Sequence, residues 1–175
     1  MSARSAAALL AAGMLQALIP RCTWARPASA PPQFLPMGAR WCLAAPTAGP
    51  QKPRCIELEV ADTPQRQAWG MQLRPPLPPL RGMWFPYPVP TPARFWMHRT
   101  PEPLDMLFVR DGRVVAIEAN AAPCPRLPCR SYGPVEPVDG VVELAGGQAE
   151  ALGLRVGSPA EIEAFRPAAI RMESY

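Results

Sequence analysis

Apolar and acidic residues alternate through Cys55-Ile56-Glu57-Leu58-Glu59-Val60, the period-two pattern of a strand with one buried face. Ile56, Leu58 and Val60 are therefore core positions, and Glu57 and Glu59 face outward. Asp62-Thr63-Pro64 supplies a capping side chain and a proline where a first-turn N–H is expendable, which predicts a helix over residues 65–73. The run Arg74-Pro75-Pro76-Leu77-Pro78-Pro79 ends it, because repeated proline removes backbone donors. Met83-Trp84-Phe85 and Phe95-Trp96-Met97 are short aromatic strand candidates on either side of a proline-rich loop. Apolar runs at 104–110 and 113–119 flank Asp111-Gly112, the residue pair of a two-residue hairpin turn. A long loop over 120–137 carries Cys124 and Cys129. A strand at 138–144, a short helix at 147–153 and a last strand at 160–165 follow. Short strands with frequent turn signals and two small helices predict a mainly β (α+β) domain over residues 55–165. The expected architecture is a small barrel-like or rolled antiparallel sheet.

The amino-terminal residues have a different character. Arg4, an uncharged apolar stretch over 6–19, Pro20 and Ala28-Ser29-Ala30 read as an export signal over residues 1–30, with cleavage after Ala25 or Ala30. That stretch is shorter than the roughly 20 residues a membrane span needs, so no stable span is expected after processing. Residues 31–54, rich in Pro, Ala and Gly, are expected to be an extended linker with Trp41 docking on the domain, and residues 166–175 a frayed tail. The protein is thus expected in the periplasm or outside the cell.

Charge narrows the partners. The chain of 175 residues carries a formal +4, but residues 1–54 hold six basic residues and no acid, whereas 55–175 hold twelve Arg against fourteen acids. A nucleic-acid partner would require its basic patch on the folded domain, so none is expected.

Four cysteines remain once a leader containing Cys22 is removed, an even number suited to an oxidising compartment. Cys124 and Cys129 are close enough in sequence for a disulfide, worth about 2 kcal/mol in the chain-entropy account. Cys42 with Cys55 is the remaining pair. A redox role would favour Cys-x-x-Cys at a helix start, and zinc would need more ligands than one His and one tight cysteine pair. No cofactor or metal is called for. Arg74, Thr100 and Asp105 are polar groups beside the apolar 95–109 stretch. They are expected to converge on a ligand site with Trp96 as an apolar wall, or else to serve a structural role with Asp105 satisfying loop N–H groups. Glu143, set in Val141-Val142-Glu143-Leu144, is expected to pair with Arg74 or another Arg. His98 has no visible orienting partner and is expected to face solvent. The reading that follows is an exported accessory or binding module whose partner is a small molecule or an envelope protein. The alternatives are a small enzyme using Asp105 and Arg74, and a thiol–disulfide redox protein.

An ordered set of residues also resembles one family. It runs from Val60-Ala61-Asp62-Thr63-Pro64, Gly70-Met71 and Arg74 through Gly82-Met83 and Phe85 to Phe95-Trp96-Met97 with Thr100. It continues with Pro103-Leu104-Asp105, Leu107-Phe108, Asp111-Gly112-Arg113-Val114-Val115, Pro123-Cys124 and Pro128-Cys129, then Tyr132-Gly133-Pro134, Val142-Glu143-Leu144, Gly147 and Gly157. Over about residues 55–165 this is similar to the domain of unknown function 192 family. The resemblance implies a compact, mainly β fold in proteins that are often exported, and it brings no established activity. His98-Arg99 stands where Lys-Asn is usual, Gln72 where Met is expected, and Ser158 where Asp is usual, so no family role is carried to His98.

Overall fold

A computed structural model describes residues 31–43 and 54–165; the expected leader, the 166–175 tail and residues 44–53 lie outside them. The elements are β1 (Met37–Cys42), β2 (Cys55–Val60), α1 (Pro64–Trp69), β3 (Arg81–Thr91), β4 (Leu104–Arg110), β5 (Arg113–Ala121), β6 (Val138–Ala145), α2 (Gln148–Ala151) and β7 (Ile162–Ala164). The strands form one sheet in the order β5-β4-β6-β3-β2-β1-β7, antiparallel except for the parallel β2–β3 pair. The fold is the expected mainly β rolled sheet with two short helices. It is not a closed barrel. Residues 157–160 hydrogen-bond along β5, through Val114 N–H to Ser158 O and Ala160 N–H to Gly112 O, before β7 pairs with β1. Among the described residues this segment and β5 share one isolated bridge, Arg113–Pro159, and β5 and β7 do not pair.

Local chemistry explains most element ends. Thr63 accepts the Arg66 N–H at the start of α1, and Gly70, at φ 49°, ends the helix at Trp69, four residues earlier than its sequence pattern suggests. Asp111 (φ 49°) and Gly112 (φ 65°) form the two-residue turn joining β4 to β5, as the Asp-Gly pair requires. Pairing between β3 and β6 breaks after Pro86, because proline has no donor for the ladder.

Three expectations are corrected. Met37–Cys42 is a strand of the sheet in place of part of an extended linker, with Trp41 only 1% exposed and its Nε1–H donating to Pro159 O at 3.1 Å. Phe95-Trp96-Met97 is not a sheet strand; Phe95 exchanges both backbone hydrogen bonds with Tyr132 alone. Glu59, placed on the solvent side by the alternation in β2, is buried, because β2 is covered on both faces.

The sheet separates two apolar layers. Met83, Phe85, Met106, Phe108, Val141 and Met97 pack on the face beneath α1 and the 93–100 connection. Leu107, Val142, Leu144, Ile56, Leu58 and Trp41 pack on the other, with Ala149 of α2. Successive residues of β4 alternate between these layers, which is why Met106 to Val109 are all apolar.

Candidate functional site

The chain leaving α1 and the turn before β4 are joined backbone to backbone. Leu73 N–H donates to Arg99 O at 2.8 Å, and both residues hold left-handed backbone, at φ 60° and 59°. Non-glycine residues pay for that conformation in steric strain, and such positions cluster where a structure must hold a particular shape. Here the junction fixes Gln72 and Arg74 against Thr100.

Arg74 projects into the layer between β2 and this junction. Its Nη1 and Nη2 each lie 2.7 Å from a different oxygen of Glu59, a bidentate pair with both side chains at least nine-tenths buried. Glu59 Oε2 also accepts the Leu35 N–H at 2.7 Å, and the Phe34 ring lies 4.6 Å from the guanidinium carbon. The Nε–H of Arg74 has no partner among the described residues. Beside it is a cavity of about 170 Å³ lined by Arg74, Leu77, Thr100, Leu104, Asn120 and Gly146 among others.

Asp105 does not join them. It sits on the opposite face of β4 from Leu104 and Met106, by strand alternation, and has no exposed surface. Its Oδ1 accepts the N–H groups of Asn120 (2.8 Å) and Gly147 (3.0 Å), and Oδ2 accepts that of Ala149 (2.8 Å). Gly147 has no side chain to cap α2, so Asp105 satisfies the first amides of the helix from β4, on the face of the sheet that α2 covers. A carboxylate engaged in this way has no access to a substrate. The expected four-residue convergence therefore divides: Arg74 and Thr100 share one cavity, Trp96 and Thr100 line its neighbour, and Asp105 is sealed behind the sheet.

The neighbouring cavity, about 30 Å³, lies between α1 and the 95–100 connection and has Glu143 among its lining residues. Glu143 was expected to pair with an arginine. Among the described residues none pairs with it, and Arg74, the partner expected from the sequence, is engaged by Glu59. Glu143 is 4% exposed and its Oε2 has no partner among the described residues. Burial pushes its carboxyl up to about 8, so it is protonated at neutral pH. Burial, reinforced by the Glu143 charge, pushes the Tyr87 hydroxyl up to about 12. The sequence signal for Glu143 was present, an acid within the apolar run Val141-Val142-Glu143-Leu144, but an unpartnered acid and a salt-bridged one look alike in sequence.

The cysteines form two disulfides, Cys42–Cys55 and Cys124–Cys129. The first joins directly opposed residues of β1 and β2. The second holds a loop whose Cys124 N–H donates to Met97 O at 3.0 Å and whose Cys124 carbonyl accepts the Arg99 N–H, so it braces the wall containing Trp96, His98 and Thr100. His98 is half-buried, its ring 5.6 Å from that of Trp96. Among the described residues no group of three His, Cys, Asp or Glu side chains is placed to hold a metal ion, and no helix is long and apolar enough to cross a membrane.

Comparison with known proteins adds the following. The family profile DUF192, described as Uncharacterized ACR, matches residues 46–162. A protein of unknown function from Novosphingobium aromaticivorans DSM 12444 superposes with a TM-score of 0.61 at 32% identity, over 76% of this chain and 94% of that one. A "putative transcription regulator" from Sinorhizobium meliloti 1021 superposes with a TM-score of 0.60 at 29% identity, over 73% of this chain and 92% of that one. No curated protein matches the sequence.

Proposed function

The chain belongs to the uncharacterised DUF192 family, and on that premise we propose that it is an exported accessory module of the periplasm or envelope that binds a small ligand in the Arg74–Thr100 cavity. The observation that carries this reading is the unpartnered Nε–H of a buried arginine beside a cavity of about 170 Å³. Because Glu59 already neutralises Arg74, the cavity offers a hydrogen-bond donor without net attraction for an anion, which suits a neutral ligand with an acceptor oxygen. The export half of the reading rests on the leader-like residues 1–30 and on the two disulfides, which persist in oxidising compartments. Regulation of transcription, the printed description of one structural neighbour, is not favoured by a folded region with more acids than arginines.

Two measurements test this. Amino-terminal sequencing of protein from its native host should find a start after Ala25 or Ala30; a start at Met1 or Ser2 on cytoplasmic protein rejects export. Native mass spectrometry of the same protein should find a retained small molecule. Ala145→Leu, which adds bulk to the cavity wall, should release it. Retention unchanged by that substitution rejects the cavity as the binding site.

A further inference from the structure

The smaller cavity has properties that the larger one does not need. At about 30 Å³ it admits one polar group of a ligand and not a whole molecule. At its wall is the unpartnered Oε2 of Glu143. Gln67 and Gln72 also line it, and their Nε2 atoms are engaged by Pro86 O (3.1 Å) and Ala68 O (3.0 Å). Each keeps its amide oxygen as an acceptor, and one N–H, for a visitor. Trp96 stands at the same cavity and is 51% exposed, a large aromatic surface beside a polar slot.

These groups select among ligands. An anion would meet a carboxyl. A metal cation would meet one acid where several oxygen ligands are required. An organic cation would find the Trp69 ring of this cavity already covered by the Arg99 guanidinium, 5.7 Å from its centroid. Burial keeps Glu143 in its neutral, hydrogen-donating form at pH 7. The group that fits both donates, to a glutamine oxygen, and accepts, from the Glu143 carboxyl. A hydroxyl does both and a carbonyl does not.

We propose that the Glu143 slot is a second ligand site, independent of the Arg74–Thr100 cavity, which receives one hydroxyl of a neutral sugar whose ring stacks on Trp96. A sugar ring joins hydroxyls to an apolar C–H face, the combination that the slot and the exposed indole recognise together. Neither interaction involves a covalent step.

Saturation-transfer NMR on the full mature chain tests this with glucose, N-acetylglucosamine and maltose as probes. At least one should receive saturation and quench Trp fluorescence. Trp96→Ala, at an exposed position, and Glu143→Leu, which places an apolar group in an apolar layer, should each weaken binding by about tenfold or more while the domain stays folded. Glu143→Gln keeps a donor and an acceptor and should bind within a few fold of the parent. Ala145→Leu should leave saccharide binding unchanged, which separates this site from the larger cavity. Absence of transfer to every probe, binding unaltered in Trp96→Ala or Glu143→Leu, or binding abolished by Ala145→Leu would each overturn the proposal.

Discussion

Arg74 holds both carboxylate oxygens of Glu59 at 2.7 Å, with both side chains at least nine-tenths buried. A buried pair of this kind costs much to break and little to replace. Removing one partner leaves a charge desolvated and unpaired, whereas removing both exchanges the pair for packing.

Arg74→Met should therefore destabilise the domain by about 3–5 kcal/mol. Glu59→Met alone should cost a similar amount, and the double variant should recover most of the loss. Urea unfolding of the three proteins reads the coupling directly. Additive losses in the double variant would show that the two side chains act independently.

Asp105 is the second buried acid, and its three N–H donors define its effect. Asp105→Asn keeps one acceptor oxygen and turns an amide N–H toward backbone donors, so it should cost on the order of 1–3 kcal/mol. The loss should be local to α2, with hydrogen exchange rising first at Gly147 and Ala149. Ligand retention should be unaffected in the folded fraction, since Asp105 reaches neither cavity. Lost retention with an unchanged melting temperature would contradict the capping role.

Features with short-range causes were legible in the sequence. The β4–β5 hairpin follows from the positive φ required at Asp111 and Gly112, and the start of α1 from Thr63 and Pro64. Glu59 was not legible, because its partners Arg74 and Leu35 reach it only after the chain folds. The same holds for β1: a stretch rich in Pro, Ala and Gly becomes a strand because β2 and β7 offer it two edges. For the proposed polar cluster, the sequence shows the residues but not their placement. Arg74 and Thr100 share a cavity, but the alternation of β4, clear in sequence as a run of apolar residues, does not reveal which face receives Asp105.

The disulfides should differ in what they stabilise. Replacing Cys124 and Cys129 by Ser should cost about 2 kcal/mol in the chain-entropy account, and replacing Cys42 and Cys55 about 3, because the latter closes a longer loop. The Cys124–Cys129 change should also speed amide exchange at Arg99 and Cys124, whose N–H groups tie the disulfide loop to the Trp96–Thr100 wall. Exchange there that matches the parent protein would mean that the loop holds its place without the covalent bond.

Glu143 should make stability depend on pH in a specific direction. Its carboxyl is pushed up from 4.5 to about 8 by burial. Below the lower value the folded and unfolded chains both carry the proton, so no charge is buried on folding. Between the two values the unfolded chain is ionised while the folded chain keeps its proton. Unfolding then releases a proton, and stability falls as pH rises, by at most about 1.4 kcal/mol per pH unit. Above about 8 both states are ionised and the loss is complete. Glu143→Gln abolishes this titration and leaves every other group in place, so the stability difference between variant and parent isolates it. Urea unfolding from pH 5 to pH 9 should find the variant gaining on the parent across that window, with the difference levelling off beyond pH 8. A constant difference at all pH values would mean that Glu143 ionises normally in the folded protein, and the neutral carboxyl donor on which the sugar slot depends would not exist.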